Sequence, residues 1–184
     1  MSKVALVIEQ SGPRMALDSN CVSYLIDACN GTIDGKHADE GEDLVRIWFY
    51  LAQRYYISER VFLECRCIRD NEPRRKIHEA FSLPTYFGVA VKDLVAVQKR
   101  ADDLYQHHSK MGDCLVLAEA EDMQVDILLS CDNKFISRLS LVSERVRMMR
   151  PSEYWRDASV PKGAIPKIVP EASNPLYSNT FWRW

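Results

Sequence analysis

The chain lacks a long apolar run, a Cys-x-x-Cys pair, an excess of positive charge and any internal repeat. Each absence removes a class of protein. No stretch approaches the ~20 apolar residues that a membrane-spanning helix needs. The opening MSKVALVIEQSGPR is too short and too acidic for a secretory signal, so the sequence predicts a cytoplasmic protein with no membrane partner. Six cysteines, at 21, 29, 65, 67, 114 and 131, form no Cys-x-x-Cys motif, and Cys65 and Cys67 fall on nearly opposite faces of their predicted helix. They read as buried free thiols, not as a zinc or redox site. A formal net charge of −2 and a pI near 6.1 deny the chain the broad basic footprint of a general nucleic-acid binder. Without repeats, a solenoid or blade architecture is also out of reach.

What remains suits one domain. A length of 184 residues with 47% hydrophobic composition fills a single sizeable core. Residues 3–8 predict an added N-terminal strand, separated by Ser11-Gly12-Pro13 from a second short strand, Met15-Ala16-Leu17. A helix over 20–28 follows, with Val22, Leu25 and Ile26 inward. Next come a polar loop over 30–42, a helix over 43–55, a strand at Tyr56-Ile57 and a helix over 59–70 with Ser58 as its N-cap. After Pro73 and Pro84, residues 91–108 predict a long amphipathic helix. Residues 114–120 form a nearly continuous apolar helix, 126–130 a strand, 133–139 a short helix, and Arg147-Met148-Met149 the last strand. Strands alternating with helices predict an α/β fold, a mainly parallel sheet covered on both faces. The predicted organisation is a domain over 1–159 and an extended C-terminal arm over 160–184. Four prolines and an aromatic end, Tyr177 with Phe181-Trp182-Arg183-Trp184, set that arm apart. Three readings of it stand open: packing on its own domain, a contact within a homodimer, and base stacking on a nucleic acid.

Four acids carry the functional signal. Asp18 ends one predicted strand and Asp132 closes another, where open α/β sheets hold their ligands. Asp113 opens an apolar helix whose amino end favours a carboxylate. Glu64 falls on the predicted inward stripe of Val61, Cys65 and Ile68, where an unpaired carboxylate costs several kcal/mol unless it meets a cation or takes a proton. Taken singly, Asp18 and Asp132 read first as helix N-caps, Asp113 as a first-turn acid and Glu64 as an arginine partner. A shared divalent cation, Mg²⁺ or Mn²⁺ by the hardness of the donors, answers all four together. The histidines suggest no catalytic set, because His107 and His108 diverge by about 100° on a helix while His37 and His78 stand alone.

The segments ALDSNCVSYL, ISERVFLEC and MGDCLVLAEAEDMQVDILLSCDNKF together resemble the PIN domain, a nuclease family, over residues 15–154. The resemblance implies a three-layer α/β/α sandwich and a metal-dependent endoribonuclease. It places the family's acids on Asp18, Glu64, Asp113 and Asp132, as catalytic residues and metal ligands, with Asn20 and Ser130 in support. Asn133 departs from the pattern, since many relatives carry another acid there. The implied substrate is RNA, with DNA not distinguished by the residues. Two alternatives follow: a toxin held inactive by a small antitoxin protein, and a non-catalytic scaffold that binds RNA or protein.

Local charge partly offsets the acidic total. Arg60, Arg66, Arg69, Arg74, Arg75 and Lys76 cluster around the Glu64 helix, Lys99, Arg100 and Lys110 precede Asp113, and Lys134 with Arg138 follow Asp132. Arg60, Arg66, Lys110 and Lys134 are the candidates for contacting substrate phosphates.

Overall fold

The computed structural model describes residues 12–32, 35–66, 86–89, 91–172 and 174–184. The predicted strand over 3–8, Ile68, Cys67, His78 and the basic residues at 69 and 74–76 lie outside these, as does the side chain of Arg66.

Five described strands form one sheet, all parallel: β1 (Met15–Leu17), β2 (Tyr55–Ser58), β3 (Tyr86–Val89), β4 (Ile127–Leu129) and β5 (Arg147–Met149). Their order is β3-β2-β1-β4-β5. β1 lies between β2 and β4, with Met15 level with both Tyr55 and Ile127. Every residue of β1 and β4 is buried, which is why MAL and ILL are unbroken apolar runs: a central parallel strand has no solvent face.

Seven described α-helices surround the sheet: α1 (Ser19–Cys29), α2 (Ala38–Leu51), α3 (Glu59–Arg66), α4 (Leu94–Tyr105), α5 (Met111–Asp122), α6 (Asn133–Leu139) and α7 (Pro151–Asp157). Strand order moves one way from β1 to β3, then jumps back across β1 to β4 and β5. Right-handed crossovers then assign α1 to α3 to one face and α4 to α6 to the other. The packing agrees: α1 packs on α2 and α3, α2 on α7, and α4 on α5. The core between these layers includes Leu25, Leu44, Ile47, Phe49, Leu104, Leu117 and Phe135.

Several predicted boundaries are corrected. The polar loop over 30–42 ends early, because α2 already begins at Ala38 with Asp39 and Glu40 in its first turn, where the helix dipole favours acids. That helix stops at Leu51, and Ala52 turns left-handed with φ 52°, so Tyr55 belongs to β2 instead. β3 adds a strand to a span for which the sequence predicts none, formed by the aromatic and β-branched residues of Tyr86-Phe87-Gly88-Val89. Helix α4 is shorter than 91–108, since Asp93 caps it by accepting from the amides of Val95 and Ala96. Helix α7 likewise lies where the sequence predicts none; Pro151 opens it, and Glu153 accepts from the Arg150 amide.

The C-terminal segment rests on this domain. Trp182 is 3% exposed, sits edge-on to Phe49, and donates from its indole to the Leu176 carbonyl at 2.7 Å. The Trp184 indole donates to the Val160 carbonyl, and its backbone amide to the Tyr50 hydroxyl at 2.8 Å. Arg46 in α2 donates to the Phe181 carbonyl at 2.6 Å. Among the described residues, no helix is long and apolar enough to cross a membrane.

Candidate functional site

The reversal of strand order opens a crevice between the carboxyl ends of β1 and β4, the position where open parallel sheets receive ligands. Asp18 leaves β1 there, and Ser130 to Asp132 leave β4. The two ends are tied by backbone and side chain: the Asp18 amide donates to the Leu129 carbonyl at 3.0 Å, and the Cys131 amide to Asn20 Oδ1 at 3.1 Å.

Asp18 is 7% exposed and caps α1. Its Oδ1 accepts from the Ser19 amide at 2.6 Å, while Oδ2 accepts from Ser130 Oγ at 2.7 Å and Asn20 Nδ2 at 2.9 Å. All these donors are neutral. Burial pushes its carboxyl above the usual aspartate range; Ser130 and Ser19 pull it back, and the charge of Asp113 pushes it further up. Ser130 is fully buried and accepts in turn from the Asp132 amide at 3.1 Å, so one hydroxyl couples both aspartates.

Asp132 caps α6 through Oδ1, which accepts from the amides of Lys134 at 2.8 Å and Phe135 at 3.1 Å. Its Oδ2 meets Lys110 Nζ at 3.0 Å. Partial burial works against its charge, yet Lys110 and the two amides outweigh it and hold the carboxyl below the usual range. The same ammonium stands 3.6 Å from Asp113 Oδ2, and contact with Asp132 raises the affinity of Lys110 for its proton. Asp113 sits in the first turn of α5 as its third residue, not at its opening, because the helix starts at Met111.

The second partner of Asp113 was missed in the sequence. His108 is buried and donates from Nε2 to Asp113 Oδ2 at 2.6 Å. Helical periodicity hid it, because α4 ends at Tyr105 and a tight turn carries His108 back toward α5. His107 and His108 thus do not diverge along one helix.

The expectation that Glu64 faces the core is corrected. Val61 and Cys65 take the buried positions of α3, and Glu64 on its flank is exposed, not directed into the core. It reaches the crevice nonetheless. Partial burial raises its carboxyl, a hydrogen bond from the Ser19 side chain lowers it, and the charges of Asp18 and Asp113 raise it again. Asp18, Glu64 and Asp113 therefore share one electrostatic neighbourhood, and Lys110 links Asp113 to Asp132.

Among the basic candidates, Arg60 pairs with buried Glu119 at 3.2 Å, Lys110 reaches Asp132, and Lys134 lines a hollow shared with Lys110. The predicted free thiols hold for the five described cysteines, Cys21 and Cys131 lying 3.6 Å apart beneath the site. Neither the protein-family models nor the curated proteins compared with the chain give a match.

Among the described residues, no three His, Cys, Asp or Glu side chains stand close enough together to grip a metal ion as placed. Carboxylates without a cation between them repel, and here Lys110 occupies the space between two of them. The donor chemistry nonetheless fits a hard divalent cation: four carboxylates, with amide and hydroxyl oxygens behind them.

Proposed function

We propose that the protein is a metal-dependent phosphodiesterase of the PIN type, acting as an endoribonuclease in the cytoplasm. One observation carries the reading. A buried carboxylate, Asp18, lies at the switch point of a parallel sheet with only neutral donors around it and two further acids, Glu64 and Asp113, within electrostatic reach. A fold that keeps such a charge without a cation of its own gains nothing in stability from it. The non-catalytic scaffold reading leaves that cost without a return.

Asp18, Glu64, Asp113 and Asp132 would hold Mg²⁺ or Mn²⁺. When bound, such a cation neutralises the non-bridging phosphate oxygens and makes a water molecule a competent nucleophile near neutral pH. The chain supplies position and charge. Ser130 and Asn20 fix the rotamer of Asp18, and His108 fixes that of Asp113. Lys110, more than half exposed on a flexible stem, can leave the two aspartates and follow a phosphate. Little covalent chemistry is asked of the protein itself, as suits phosphoryl transfer.

The test is incubation of pure protein with mixed RNA and DNA substrates in Mg²⁺, Mn²⁺ or chelator. RNA cleavage that requires metal and vanishes in Asp18→Asn is expected. Equal cutting in chelator, or by a folded Asp18→Asn protein, overturns the reading.

A further inference from the structure

Beside the acid crevice lies a hollow of about 580 Å³, formed by the turn 105–110 between α4 and α5 and by the exposed side of α6. Its volume falls in the ~300–1,000 Å³ range of small-ligand sites. The charged side chains of its lining are Lys110, Lys134 and Arg138, joined by His107 and His108; no carboxylate lines it. Such a one-signed wall is unusual in a chain of net charge −2. Five arginines elsewhere are matched to acids: Arg46 to Asp43, Arg60 to Glu119, Arg100 to Glu121, Arg147 to Asp157 and Arg150 to Glu40. Among the described residues, neither Lys134 nor Arg138 has a carboxylate partner, and both are exposed. Lys110 is already shared with Asp132 and Asp113, which leaves Lys134 and Arg138, four residues apart on α6, as two unmatched cations on one hollow, where an anion is favoured.

Two features narrow the anion to a nucleic-acid strand. Lys110 joins the acids to the hollow, since it lines the hollow while touching Asp132 at 3.0 Å, so a polyanion bound at the acids has a cation leading toward the hollow. At its edge Tyr105 is 48% exposed, a large aromatic face with a hydroxyl, able to stack on a base of any identity.

We propose that this hollow seats a backbone phosphate of single-stranded nucleic acid next to the bond being cut. Lys134 and Arg138 hold the phosphate, Tyr105 stacks on the adjoining base, and Lys110 is handed from Asp132 to the strand. This assignment rests on the nuclease reading above and adds the direction in which substrate leaves the acid crevice.

The experiment is fluorescence anisotropy with a labelled single-stranded RNA in chelator, across a salt series, with single-stranded DNA of the same sequence as second probe. The proteins are wild type, Lys134→Ala/Arg138→Ala, Tyr105→Ala and, as control, Arg147→Ala at the far end of β5. The double variant is expected to bind at least about tenfold more weakly at low salt. Its slope of log affinity against log salt should fall by about 0.7, the value for one lost single-strand phosphate contact. Tyr105→Ala should weaken binding at least about fivefold at every salt concentration, because stacking is not screened. Arg147→Ala should match wild type. Unchanged affinity and slope in the double variant, with wild type binding and cutting, overturns the hollow and leaves the nuclease reading intact. Wild type that binds but does not cut in Mg²⁺ or Mn²⁺ removes the nuclease reading and the placement beside a scissile bond, while a weakened double variant still upholds the hollow as a strand-binding site. Wild type that binds neither strand removes both.

Discussion

Asp18 and Glu40 are both buried carboxylates, 7% and 4% exposed, and they are treated in opposite ways. Glu40, in the first turn of α2, receives Arg150 at 2.7 Å and both the amide and hydroxyl of Ser152 at the start of α7. Its charge is cancelled by the chain itself, and the result is a clasp between α2 and α7. Asp18 receives only neutral donors, and its charged neighbours are acids. One seam of the molecule spends its carboxylates on holding helices together, while the crevice keeps its carboxylates for something outside the chain. Burial alone therefore does not mark a functional acid; the missing counter-charge does.

The contrast can be broken first where the seam is heaviest. Truncation after Val160 removes Trp182 and Trp184 from Phe49, Tyr50 and Trp155, and losing a buried tryptophan alone costs roughly 3–5 kcal/mol. The melting temperature should fall sharply, with cleavage per folded molecule changed far less than in Asp18→Asn. Loss of RNA affinity at unchanged stability would return the segment to the stacking role.

Glu40→Gln should cost about 3 kcal/mol in urea unfolding, because it leaves Arg150 half-buried without its anion. Metal dependence of the remaining folded enzyme should not change. Asp18→Asn should do the reverse: a rate loss of at least ~10²-fold in a quantitative RNA-cleavage assay, with the metal-free fold as stable as wild type or more so. A stability loss in Asp18→Asn as large as in Glu40→Gln would erase the distinction between the two sites.

Metal offers the next comparison. At about 100 times its dissociation constant, Mg²⁺ or Mn²⁺ should stabilise the wild type by roughly 2.7 kcal/mol and Asp18→Asn by much less. Calorimetry in chelator and in metal reads this directly. Identical melting curves in both conditions would leave the four acids without a cation.

The smallest effect is a pH signature. Glu64 and Asp18 both have carboxyls raised by folding, so their stabilising contribution is present at acid pH and lost as pH rises through the folded values. Metal-free Glu64→Gln should therefore melt slightly above wild type at neutral pH, and the gap should close as pH falls through the usual glutamate range. Asp132, held below the usual range by Lys110 and two amides despite its partial burial, works oppositely: its contribution fades only on acidification. A gap that widens toward acid pH would contradict the placement of Glu64 beside Asp18.

The sequence by itself determined the strands that pass through the middle of the sheet and the acids that end them. An unbroken apolar run such as MAL or ILL has few alternatives to a central parallel strand; Asp18 follows the first directly, and Asp132 follows the second after Ser130 and Cys131. Only the tertiary structure decided the rest of the site. Glu64 sits on the flank of its helix because Val61 and Cys65 claim the core, a competition that spacing does not resolve. His108 and Lys110 reach Asp113 through a turn whose path depends on how α4 packs on α5. Glu40 and Asp18 look alike as letters in a chain. Whether a cation meets each is settled by long-range neighbours, Arg150 lying 110 residues from Glu40. Electrostatic pairing acts through space, and the order of residues along the chain does not encode it locally.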